Sequence, residues 1–257
     1  MTSTTLSPLN RLSVNRVTLT ASQRHYLAPA GETLIHILIG TIGVTSSAGD
    51  FPHLGERANV FDAPPTCLYL PPRAEFVIYP ETRIADVIVV TAAGIAAGWR
   101  PAKVVRPQDV TLEYPGGHFP QLQRTVRVVA DASGPAGLIY GGETINPPGG
   151  WSSYPHHEFD ERAEWFDQFE EVFTVFHRPQ SISVRNMETM LRRRGRFCDG
   201  SAVDDVVILK AGESAVVPLG VHPIAAPLEG ELLYVWHYLS PLAKQYATRA
   251  EDGGMYK

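Results

Sequence analysis

Twenty-two glycines and twenty-one prolines interrupt a chain of 257 residues. Proline removes a backbone donor and fixes φ, and glycine weakens helix interiors, so a chain broken this often has little room for long helices. It suits many short strands joined by tight turns. Residues 33–44, 86–91, 125–130, 171–177, 181–186, 205–209, 214–217 and 232–239 are rich in Val, Ile, Leu or aromatics and are bounded by Gly, Pro, Asp or Ser, the pattern of strands. Helical periodicity is confined to 92–99 and 161–170, neither longer than about three turns. The expectation is an all-β protein.

Composition narrows the function classes. At 44% hydrophobic and 19% charged residues the chain can bury a sizeable core without a disulfide or metal staple. A net charge of -5 argues against nucleic acid as a partner, since nucleic-acid binders carry a basic excess. The longest apolar run, 33–45, is broken by His36 and Gly40 and falls short of a membrane span. Residues 1–10 are polar, and Cys67 and Cys198 are the only cysteines, so a reducing, cytoplasmic location and no membrane association are expected.

Four prolines and a Gly-Gly pair between residues 101 and 120 mark a boundary, dividing the chain into 1–110 and 111–257. The halves share a faint pattern. Gly55-Glu56 opens an apolar stretch that ends at Pro71-Pro72, and Gly212-Glu213 opens one that ends at Pro218. Each reads as a turn glycine, a strand and a terminating proline, which suggests two related β-barrels.

Of nine histidines, five, His156, His157, His177, His222 and His237, lie in the last 102 residues. If residues 151–160 form one strand, Trp151, Ser153, Pro155, His157 and Phe159 share a face, and Tyr154, His156, Glu158 and Asp160 take the other. Only one of the adjacent histidines can then face a barrel interior.

The segments WSSYPHHEFD (151–160), Glu170-Glu171 before an aromatic strand, and PLGVHPIAAP (218–227) together resemble the bicupin isomerases of sugar-acid catabolism. The nearest resemblance is to 5-deoxy-glucuronate isomerases of myo-inositol breakdown, with 5-keto-4-deoxyuronate isomerases more distant. It extends to residues 60–72 and 106–109, and so covers most of the chain. It implies two antiparallel double-stranded β-helix (jelly-roll) barrels, the second carrying a divalent metal such as zinc. The family's first histidine ligand falls on His157, its glutamate on Glu171 and its last histidine on His222. The remaining histidine falls on Phe159, an apolar ring on the face of His157. Two imidazoles and a carboxylate still make a legitimate donor set for zinc, manganese, iron or nickel. The other reading of His157 and His222 is buried, hydrogen-bonded histidines in a site that has lost its metal.

The implied reaction converts an aldose to a ketose in a deoxyuronic acid. It needs a base beside the carbonyl and an electrophile for the enediolate, a role suited to a metal. A sugar acid also calls for a cation, and Arg185, on the expected strand 181–186, is the first choice. Trp236 and Tyr154 are candidates to line the pocket, with core packing the competing reading of Trp236. Glu170 should face away from the site into solvent. The acidic run 158–171 reads as a solvated loop or short helix over the barrel mouth. The arginine-rich run 192–196 reads as a hairpin loop. The first half, with Pro71-Pro72 in the place of Pro218 and no histidine after it, reads as a structural barrel that packs on the other or builds a homo-oligomer. Two further functions stay open: a repurposed, non-catalytic bicupin that binds a small molecule, its metal site closed by Phe159, and a metal-dependent enzyme acting on a related polyol or keto acid.

Overall fold

The computed structural model describes residues 9–94, 100–131, 134, 137–153, 157–159, 169–183, 186–239 and 248–250, with 157–159 and 248–250 described by backbone alone. Among these residues run twenty-two strands and two 3₁₀ turns, and no α-helix. The all-β expectation holds, and no helix among them is long and apolar enough to cross a membrane. The strands are β1 (Leu12–Thr20), β2 (His25–Leu27), β3 (Glu32–Ile39), β4 (Ile42–Ser46), β5 (Gly49–Leu54), β6 (Thr66–Leu70), β7 (Phe76–Pro80), β8 (Ile84–Ala92), β9 (Lys103–Val105), β10 (Thr111–Glu113) and β11 (Thr125–Ala130). They continue with β12 (Ile139–Asn146), β13 (Trp151–Ser152), β14 (His157–Phe159), β15 (Glu170–Pro179), β16 (Thr189–Arg196), β17 (Ala202–Leu209), β18 (Ser214–Val217), β19 (Leu219–Val221), β20 (Ile224–Ala225), β21 (Gly230–Leu239) and β22 (Thr248–Ala250).

The chain divides into two compact units. Among the described residues, one holds those of 11–110 and 129–140, and the other those of 9–10, 111–128 and 141–250. In the first unit, sheets ordered β1-β8-β3-β6-β9 and β2-β7-β4-β5 enclose a core that includes Val17, Leu19, Ile35, Ile37, Ile42, Val44, Leu68, Phe76, Ile78, Val87 and Val89. Burying each such side chain stabilises the fold by about 1.5–3 kcal/mol. The apolar run 33–44, expected as one strand, is two. Gly40 sits at φ 78°, a left-handed conformation that glycine adopts without strain, and there the chain leaves β3 in one sheet for β4 in the other. Just before it, β3 slips register against β8 between Ile37 and Ile39. The buried Arg57 guanidinium donates to the carbonyls of Leu38 (2.7 Å) and Ile37 (3.1 Å), so carbonyls at this irregularity are not left dry and unpaired.

In the second unit, the sheet β10-β11-β12-β21-β15-β18 and the sheet β13-β20-β16-β17 enclose Phe173, Val175, Leu191, Leu209, Ala215, Val217, Ile224, Leu232 and Tyr234. β19 pairs with β16, and β14 pairs with β22 in a separate two-stranded sheet. The arginine-rich run is strand, not hairpin loop: it forms the end of β16, in register with β17. Asp204 and Asp205 on β17 pair with Arg192 and Arg193, so opposite charges across the ladder make the run compatible with a strand. The turn follows it, where Asp199 caps Ser201.

Candidate functional site

Alternation along the central strands of the second unit sorts their residues. On β15, Phe173 and Val175 face the core, and on β21 Leu232 and Tyr234 do, with Trp236 packed against it. Glu171 shares the inward parity of Phe173. It is 5% exposed and sits in register between Tyr238 of β21 and Val217 of β18. Its Oε2 is buried and has no hydrogen-bond partner among the described residues. An unsatisfied buried oxygen of this kind costs about 1–3 kcal/mol. Burial pushes the Glu171 carboxyl well above its usual range.

His222 follows β19, is 2% exposed, and meets the Phe173 ring edge-on at 6.1 Å between centroids. Its Nδ1 lies 2.8 Å from the Gly220 carbonyl oxygen. A carbonyl can only accept, so Nδ1 carries the proton and the lone pair is on Nε2. Burial lowers its pKa to about 4, against a smaller opposing effect of that hydrogen bond, so the ring is neutral at physiological pH. A neutral imidazole and a buried carboxylate oxygen are the donor types that a divalent cation takes. Among the described residues no three His, Cys, Asp or Glu side chains stand close enough to hold a metal. The third residue of the expected set, His157, has only its backbone described: it opens β14, which runs beside β19.

Aromatic rings lie on the strand of Glu171 and on β21 beside it, and continue along the interior. Tyr238 stacks on Trp236 at 5.9 Å and lies 5.7 Å from Phe169, and Phe173 lies 4.7 Å from Tyr234. Trp236 therefore does pack against the core, and its Nε1 also donates to Thr144 Oγ1 at 3.1 Å. The indole crosses β12 at Gly142, where a Cβ would stand 2.3 Å from its ring and 2.4 Å from the Arg127 carbonyl oxygen. Only glycine fits there.

Beyond Trp236 the interior is more polar than the sequence suggested. The Ser152 and Thr144 hydroxyls act on the Tyr234 hydroxyl and lower its pKa, and Ser152 Oγ donates to Asn146 Oδ1 at 2.7 Å. Burial raises the Tyr234 pKa, opposed by the charge of Arg124 and by those two hydroxyls, with Glu171 adding to the rise. Arg124 also lines an open recess of about 470 Å³ with Tyr114, Gln123, Ile145 and Glu231. Tyr234, Thr144, Ser152 and Asn146 were not singled out from sequence. The available signal was position: Tyr234 lies two residues before Trp236 on one strand, and Thr144 and Asn146 alternate on β12.

Other expectations are corrected. Residues 151–160 are not one strand. β13 pairs with β20 and β14 with β22, and Ser153 between them takes φ 54°, so a single alternation does not run through them. Glu170 does face away from Glu171, but it is 3% exposed rather than solvated, and its Oε1 accepts from the Asn10 backbone N–H at 3.1 Å. Ser181–Ser183, expected in a strand, form a turn in which Ser181 Oγ accepts from the Ser183 N–H, a local bond that competes with sheet pairing. Arg185 and Tyr154 lie outside the described residues, as do most of the acidic run 158–171 and the cores of the two helical candidates.

The model of the KduI/IolB family matches residues 3–252. Curated relatives named 5-deoxy-glucuronate isomerase include one from Geobacillus kaustophilus, 27% identical over 218 residues, which span 84% of this chain and 73% of the relative. Another, from Shouchella clausii, is 28% identical over 219 residues, 82% of this chain and 73% of that one. Among solved structures, an IolB-like protein from Salmonella typhimurium superposes with a TM-score of 0.81 at 23% identity, covering 96% of this chain and 89% of its own. A Lactobacillus farciminis oxalate decarboxylase formate complex superposes at 0.62 and 9% identity, covering 94% of this chain and 80% of its own.

Proposed function

The chain belongs to the KduI/IolB family, and from that premise we propose that it is an aldose-ketose isomerase of a deoxyuronic acid, close in structure to 5-deoxy-glucuronate. We read the fold as a bicupin, two jelly-roll barrels divided near residue 110, with the chemistry in the second. The observation that carries the reading is Glu171, a buried carboxylate with an unpartnered oxygen, in the same interior as the neutral imidazole of His222.

His157, Glu171 and His222 would hold a divalent metal, zinc by preference. Bound there, it would polarise the carbonyl and the neighbouring hydroxyl of the substrate. The protein's own part is to position and to shield. Phe169, Trp236 and Tyr238 form an aromatic wall that excludes water and offers ring faces to a sugar. Arg185 and Tyr154 are our candidates for the substrate carboxylate and a hydroxyl, and the functional unit is a cytoplasmic homo-oligomer.

Metal analysis of protein purified without chelators, paired with turnover of 5-deoxy-glucuronate followed as ketose formation, tests the proposal. About one metal ion per chain together with turnover is expected, and less than roughly a tenth of an equivalent overturns the metal-dependent reading. Phe159→His should then tighten metal binding. The small-molecule-binding alternative, favoured by Phe159 in a ligand position, predicts binding without metal or turnover.

A further inference from the structure

We propose that the Asn146 side-chain amide is a substrate-recognition group inside the second unit, donating its N–H bonds to a carboxylate or hydroxyl oxygen of the sugar acid. The proposal deepens the isomerase reading and rests on it for the identity of the ligand.

Two hydrogen bonds define this part of the interior. An indole N–H can only donate, so Trp236 Nε1 gives its proton to Thr144 Oγ1. Ser152 Oγ donates to Asn146 Oδ1 at 2.7 Å, which fixes one end of the amide.

The other end of the amide is open. Asn146 is fully buried, and its Nδ2 has no partner among the described residues. Turning the amide over would exchange the unpaired end from nitrogen to oxygen without pairing both, because Ser152 satisfies one end only. Asn146 has the same parity on β12 as Gly142 and Thr144, the two residues against which Trp236 packs, so it faces the same interior. A buried amide fixed at one end and unpaired at the other is an arrangement suited to a ligand oxygen, with its orientation set before the ligand arrives.

The test is calorimetric binding of D-glucuronate and steady-state kinetics on 5-deoxy-glucuronate, for wild type, Asn146→Ala and Asn146→Asp. Asn146→Asp keeps the acceptor for Ser152 and removes both N–H donors, so it remains informative if the alanine variant fails to fold. The expected result is binding weakened by about tenfold or more, seen as a raised KM with kcat within about threefold of wild type, in variants with a native thermal midpoint. A folded Asn146→Asp chain that binds glucuronate as tightly as wild type overturns the proposal and leaves the isomerase reading standing. Wild type that binds glucuronate without turning over 5-deoxy-glucuronate defeats the isomerase reading, while the Asp variant still decides the role of Asn146. Wild type that binds neither compound overturns both. Repeating the comparison with uncharged 5-deoxyglucose assigns the oxygen: a difference that disappears identifies the carboxylate, and one that persists identifies a hydroxyl.

Discussion

Glu32 in the first unit and Glu171 in the second are both buried glutamates, and the chain treats them in opposite ways. Glu32 accepts the backbone N–H groups of Gly137 (2.9 Å), Leu138 (2.6 Å) and Ile139 (2.8 Å), and the Tyr69 hydroxyl at 3.2 Å. Its lone pairs are used to fasten the segment leading into β12. Glu171 retains a buried oxygen that no described residue satisfies. A carboxylate supplied with several donors is a structural tie, whereas one left without them is held in a costly state that a bound cation or substrate would relieve. Both units bury polar side chains beside their apolar clusters: Glu32, His36, Arg57 and Asp86 in the first, and Thr144, Asn146, Ser152 and His222 in the second, so the contrast lies in how the two glutamates are supplied with donors.

Substituting the two glutamates should separate these roles. Glu171→Ala is expected to lower kcat/KM by at least about a hundredfold and to reduce bound metal, with the fold retained by circular dichroism. Turnover near the wild-type level would erase the contrast. Glu32→Ala should do the reverse: stability falls by about 3 kcal/mol in chemical denaturation, because three N–H groups lose a charged acceptor, while metal content per folded chain is unchanged.

His222 sharpens the comparison through pH. Its folded pKa, about 4, lies below the ordinary histidine value of 6.5, so the unfolded chain takes up the proton first as pH falls. Its contribution is present in full above 6.5 and is lost as pH drops from 6.5 towards 4, amounting to about 3 kcal/mol in chelator-treated protein. His222→Gln should flatten that limb of the stability profile, and an unchanged profile would show that the ring is not held neutral by burial. The smallest effect is expected on β16. Arg192→Ala removes an exposed pair with Asp204 and should cost less than about 1 kcal/mol and leave kcat/KM unaltered.

Much of the fold was legible in short apolar runs. Residues 125–130 and 214–217 became β11 and β18 with the expected bounds, and 205–209 and 232–239 lie within β17 and β21. β1 was not legible, because Ser13, Asn15, Arg16 and Thr18 dilute its apolar residues. It is a strand because it pairs along its whole length with β8. The candidate site divided similarly. Glu171, His222 and Trp236 stood out by residue type and by resemblance. The hydroxyls and amide of Thr144, Ser152, Tyr234 and Asn146 did not, since such residues are common in β-proteins and gain meaning only from their neighbours.

The sequence by itself determined the class. Glycine and proline spacing excludes long helices, alternation gives strands, and the residues around His157, Glu171 and His222 carry the family likeness. Only tertiary structure decided which polar groups are satisfied. Glu32 and Glu171 are the same residue type in a one-dimensional reading, and both are buried in the folded chain. What separates them is whether donors distant in sequence arrive beside the carboxylate, and for Glu32 they come from more than a hundred residues away.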